Sequence, residues 1–270
     1  MNALLALLVT SVTAAFAPGA DAQSVVVMWG DSVVAGVGSH VSQPMPMGPA
    51  PFGSPIPCGY RWNHSTMSFD PITEADNNAG NGADLTYGFA EAWLRFRNEP
   101  VYIVSLAFSG TDCNPINIGR SWHPASGSRL LPRLHEEVSA ALAHAPTHAG
   151  TSGSATLECI VFCTGNNSPS LDLVQNIEAV NNTILGWVPT ANPIQIGVST
   201  WRVPPGNGNL DTTYNRMLMG DWKAAAPVGQ TRQVVDADQI PSHTGGLPDM
   251  AHLSHWGEIT LGFQAGVLAQ

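Results

Sequence analysis

Five short apolar runs, each followed by a stretch with helical spacing, constrain this chain more than any other feature. The runs cover residues 25–29, 101–106, 159–163, 194–199 and 233–237. The first four are almost continuously apolar, as strands covered on both faces must be. The helical stretches cover 86–97, 129–143, 173–185, 212–225 and 255–268. Strand and helix in strict alternation predict a three-layer α/β/α architecture, a doubly wound five-stranded parallel sheet. Residues 23–270 read as a single domain with no internal repeat.

One segment breaks the alternation. Residues 33–84 separate the first strand from the first helix, far more chain than a βα loop of about 2–6 residues needs. In open α/β sheets ligands bind beyond the carboxyl ends of the strands, where this insertion must emerge. It is therefore expected to wall a pocket, with Tyr60, Trp62 and His64 as candidate contacts.

The charge balance narrows the partners. Ten basic residues, a single lysine among them, stand against twenty acids, for a net charge of −10. Nucleic-acid binding is not expected, since it rests on clustered Lys and Arg. No run approaches the roughly 20 apolar residues of a membrane span. Residues 1–22 carry an apolar run, a Pro18-Gly19 break and a small-x-small end at Ala20-Asp21-Ala22, the grammar of a signal peptide. A secreted or periplasmic protein is the expectation.

Four cysteines are present. Cys159 and Cys163 lie on one strand, roughly 13 Å apart at about 3.3 Å per residue, too far for a disulfide. Cys58 and Cys113, both in loop-like sequence, are the remaining pair and the expected bridge. The His144/His148 and His252/His255 pairs have helical spacing but no evident third ligand, so no metal is expected.

The chemistry gathers at strand ends. The first strand closes on Gly30-Asp31-Ser32, which puts a hydroxyl at the ligand-binding edge. The second leads into Ser109-Gly110-Thr111, and the third into Gly165-Asn166-Asn167. A glycine there can offer its N–H to an oxyanion, and an asparagine its side-chain amide. Near the end of the chain, Asp249 precedes His252 by three residues, an acid able to orient an imidazole base. The Gly-x-Ser-x-Gly elbow of the α/β-hydrolases occurs nowhere.

Gly30-Asp31-Ser32, Gly110, Gly165-x-Asn167 and Asp249-x-x-His252 resemble, in order, the four blocks of the SGNH (GDSL-type) hydrolases. A narrower similarity is to the branch of carbohydrate acetylesterases and sialate O-acetylesterases. Here Asp31 stands where that branch usually has Gln, and Asn166-Asn167-Ser168 follows Gly165 in place of Gln-Gly-Glu. The resemblance implies a flavodoxin-like SGNH fold, with Ser32 as nucleophile, His252 as base and Asp249 as its orienting acid. Ser32, Gly110 and Asn167 would form the oxyanion hole, and no cofactor would be needed.

The implied activity is hydrolysis of short-chain, chiefly acetyl, esters on carbohydrate through an acyl-enzyme. Trp62 and Trp122 are the aromatics expected to stack on sugar, with Trp201 a third. Two alternatives remain. One is a lipase or thioesterase acting on lipid esters, and the other is a catalytically silent carbohydrate-binding protein on the same fold. A glycosidase would need two carboxylates at one strand edge, and adjacent Glu136 and Glu137 do not provide them.

Overall fold

The computed structural model describes residues 22–35, 55–73, 84–164, 172–199, 212–237 and 255–270, with backbone alone at 212–216 and 255–256. The strands are β1 (Gln23–Gly30), β2 (Gly59–Asn63), β3 (Ser68–Pro71), β4 (Val101–Ala107), β5 (Ala155–Cys163), β6 (Ile194–Ser199) and β7 (Arg232–Asp236). The helices are α1 (Leu85–Arg97), α2 (Leu130–His148), α3 (Leu173–Trp187), α4 (Thr212–Ala224) and α5 (His255–Leu268).

These strands form one sheet in the order β3-β2-β4-β1-β5-β6-β7. Seven strands are therefore present among the described residues, where five were expected. The expected five form the contiguous parallel block β4-β1-β5-β6-β7. The extra two come from the insertion: β2 adds parallel to β4, and β3 folds back antiparallel on β2. The insertion thus extends the sheet edge, and its Ile56 and Ile72 exchange backbone contact at the hairpin base (Ile56 N to Ile72 O, 2.9 Å).

Side-chain alternation along the strands builds two cores. From β1, Val26 and Met28 join Phe89 and Trp93 of α1 and Leu261 and Ala265 of α5. Val25, Val27 and Trp29 face the other way, toward Leu134 and Val138 of α2, Ile177 of α3 and Trp222 of α4. Helices cover both faces, which is why the central strands are apolar throughout. On the first face α1 and α5 touch backbone to backbone: a β-carbon on Gly88 would lie 1.9 Å from the Ile259 carbonyl oxygen. Only glycine permits that approach, and it fixes the start of α5 beside the start of α1.

Candidate active site

The parallel register brings three strand ends level. Gly30 is the partner of Ala107 on one side and of Cys163 on the other. Ser32, two residues beyond Gly30, therefore leaves the sheet beside Gly110, three residues beyond Ala107. Gly30 itself has φ +149°, and a β-carbon there would lie 2.2 Å from the Cys163 carbonyl oxygen. Nothing larger fits without moving the β5 backbone.

Beyond Gly30 the chain turns at once. Asp31 is fully buried; its N–H donates to the Cys163 carbonyl (3.0 Å), and its Oδ1 accepts the Val33 N–H (3.1 Å). Its carbonyl accepts from the Ala35 N–H (3.1 Å), closing a helical turn around Ser32. Ser32 keeps 9% of its surface exposed. An Asx-type turn of this kind pre-forms the loop that carries the hydroxyl.

The neighbouring turn is built around Gly110, at φ +76°, with the Thr111 N–H donating to the Phe108 carbonyl (3.3 Å). Asp112 then organises the loop that follows. Its carboxylate accepts from the Asn114 N–H (3.0 Å) and the Asn117 side-chain amide (2.5 Å). Its backbone bridges Ser121, with Asp112 N donating to Arg120 O and Trp122 N to Asp112 O.

Trp122 was expected to stack on substrate, and the structure corrects this. Its ring is wholly buried, packed 5.7 Å from the Trp29 centroid, and offers no face to a ligand. Its indole N–H instead donates to the Gly30 carbonyl (3.2 Å) and to Thr111 Oγ1 (3.0 Å). Trp62 is corrected in the same way. It is buried on β2 against Phe69 and His144, and its N–H donates to Glu137 Oε2 (2.6 Å) on α2. The alternation of Tyr60 and Trp62 in the hairpin is core packing of the second face.

The expected Cys58–Cys113 disulfide is also overturned; both are free thiols. Cys58 O accepts from Val101 N, so it sits at the amino end of β4, whereas Cys113 follows the carboxyl end. Seven residues of strand hold them about 20 Å apart. Burial pushes the Cys113 thiol up to about 12, with the charges of Asp112 and Asp31 adding to the rise.

Three expected residues, Asn167, Asp249 and His252, lie outside the described residues, as do His64's insertion neighbours at 36–54 and Trp201. What the structure does describe is the helix that follows them. Glu258, in the first turn of α5, is fully buried with neither carboxylate oxygen hydrogen-bonded. Burial, and then the charges of Asp84 and Asp31, hold its pKa well above the usual carboxylate range. Sequence reasoning missed this group, since an acid in a first helical turn ordinarily faces solvent. Among the described residues no set of His, Cys, Asp and Glu forms a metal site, and no helix is long and apolar enough to cross a membrane.

No known family's sequence profile matches this chain, and no curated protein does either. Solved structures do. A protein from Arabidopsis thaliana matches with a TM-score of 0.65 at 15% identity, over 92% of this chain and 98% of that one. A carbohydrate acetylesterase from Xanthomonas citri matches at 0.58 and 12% identity, over 91% of this chain but 55% of the other, so this chain spans about half its length. A lipase from the goat rumen metagenome matches at 0.50 and 12% identity, over 90% and 97%. At such identities the likeness establishes a shared fold.

Proposed function

We propose that the chain is an SGNH-type serine esterase that removes acetyl groups from carbohydrate. The observation that carries this reading is the position of α5. Leu261, in its second turn, shares one buried core with Val33 and Val34 of the turn after β1. His252 precedes α5 by three residues, and three residues reach at most about 10 Å. The reading puts the His252 imidazole at the Ser32 edge. The shared fold with an acetylesterase supports the same reading.

In the proposed cycle, His252 takes the Ser32 hydroxyl proton as Oγ attacks the ester carbonyl, and Asp249 orients the imidazole. The Ser32 and Gly110 N–H groups and the Asn167 amide hold the oxyanion. The imidazolium protonates the departing sugar hydroxyl, and a water activated by the same base then clears the acetyl-enzyme. The leader at 1–22 would direct the enzyme out of the cytoplasm, leaving a mature N-terminus at Gln23.

Hydrolysis of p-nitrophenyl acetate tests the reading. Ser32→Ala should lose at least about 10³-fold in kcat, and Asn167→Ala about 10²–10³-fold. Undiminished turnover by Ser32→Ala would end it. The fold shared with a lipase keeps lipid esters as a second reading, favoured if rates climb from acetyl to octanoyl esters.

A further inference from the structure

In an acidic protein, the segment that carries the Gly110 turn is basic. Between residues 101 and 135 stand three of the ten basic residues, Arg120, Arg129 and Arg133, and one of the twenty acids, Asp112. That acid is buried and already occupied by Asn114 and Asn117. Arg133 is also engaged: it lies over the Phe108 ring and pairs with Glu137 (3.6 Å).

Arg120 is different. Its backbone is pinned, its carbonyl accepting from Asp112 N (3.1 Å) and its N–H donating to Asn117 O (3.4 Å). Its guanidinium is exposed, and no described residue forms an ion pair or hydrogen bond with it. Nη1 lies 3.8 Å from the point a β-carbon on Gly110 would occupy. A guanidinium presents a planar fork of donors matched to a carboxylate, and it is always charged. Pinned backbone, no counter-ion among the described residues and closeness to the turn together point to a charge whose partner arrives with the substrate.

We propose that Arg120 binds a carboxylate carried by the sugar half of the substrate, so that the preferred esters are O-acetylated hexuronic acids. This rests on the esterase reading above, in which Gly110 contributes to the oxyanion hole. A carboxylate on the same sugar ring as the scissile acetyl would then sit one ring's width from the reacting carbonyl. In a chain of net charge −10, such a local cation favours the approach of an unneutralised uronate.

The test is the ratio of kcat/KM for an O-acetylated methyl glucuronoside over that for the matching methyl glucoside. The native protein should favour the uronate about tenfold, and the preference should shrink as salt is raised from about 0.02 to 0.5 M. Arg120→Met should bring the ratio to about one, while Arg120→Lys should keep part of it. A native ratio of one, or a preference untouched in Arg120→Met, overturns the proposal. So does a gain confined to p-nitrophenyl hemisuccinate, whose carboxylate lies on the acyl half. These outcomes are read only as ratios, so they differ from failure of the esterase itself. In that case neither sugar ester nor p-nitrophenyl acetate would be cleaved in a Ser32-dependent way, and both proposals would fall.

Discussion

The indole N–H of Trp122 donates to the carbonyl of Gly30, 92 residues earlier in the chain, across 3.2 Å of buried space. That one carbonyl also accepts the Phe108 N–H (3.1 Å) and the Thr111 hydroxyl (3.0 Å). The turn that carries Ser32 and the turn that carries Gly110 are therefore tied to a common acceptor. Trp122→Phe keeps the ring against Trp29 but removes one tie and leaves Thr111 Oγ1 short of a partner. We expect a loss of about 1–3 kcal/mol by denaturant unfolding, since a buried bond is broken on one side only. With the turns loosened, kcat for p-nitrophenyl acetate should fall more than KM rises. Unchanged kcat with the stability loss would show that the tie serves the fold alone.

Gly30 and Gly119 separate two reasons for needing glycine. Both have positive φ, +149° and +90°. A β-carbon on Gly119 meets nothing within 4 Å, whereas one on Gly30 drives into the β5 backbone at Cys163. Gly119→Ala should cost only the conformational penalty, about 1–2 kcal/mol. Gly30→Ala should cost roughly 4 kcal/mol or more, or prevent recovery of folded protein, because the clash is with main chain. Comparable melting temperatures for the two variants would refute the steric account.

Glu258 makes stability depend on pH in a stated direction. Burial and the charges of Asp84 and Asp31 raise its folded pKa, so the native state binds a proton that the unfolded chain releases more readily. The favourable contribution is complete below the ordinary glutamate value of about 4.3 and is lost as pH rises through the elevated folded value. Asp84 is itself paired with Arg61 at 3.1 Å. Glu258→Gln removes the ionisation while keeping the shape. Its melting temperature should match that of the native protein near pH 4 and exceed it at pH 8. A constant difference across that range would contradict the assignment.

The central strands were legible because both-face burial leaves no room for ambiguity. The apolar run 194–199 is β6 residue for residue, and 101–106 falls one short of β4. Helix ends were less legible. α2 runs on to His148 through Pro146, five residues past the expected stop, because its last turn is carried by packing of Ala145. The β2–β3 hairpin was invisible for a physical reason. Its strands are five and four residues long, and Arg61 and Asp70, paired on the opposite face, break up the apolar run. The alternation of Tyr60 and Trp62, with Phe69 opposite Trp62, was the signal available. At the site, Ser32 and Gly110 could be placed because strand ends in a parallel sheet converge on one edge. What a buried tryptophan does there could not, since a ring that braces two turns and a ring that stacks on sugar have the same letter.

The cysteines test the path of the chain at this sheet edge. With Cys58 at one end of β4 and Cys113 beyond the other, no bridge can form without dismantling the sheet edge. Cys113, Cys159 and Cys163 are buried and Cys58 is half-buried, its thiol raised by burial. A raised pKa leaves little thiolate at neutral pH, so even the accessible thiol should react slowly. Titration with an aromatic disulfide should therefore find one slow thiol in the native protein and all four after unfolding in denaturant without reductant. The melting temperature should be indifferent to dithiothreitol. Two thiols in the denatured chain, or a fall of several degrees on reduction, would restore the bridge and with it a different path for residues 58 to 113.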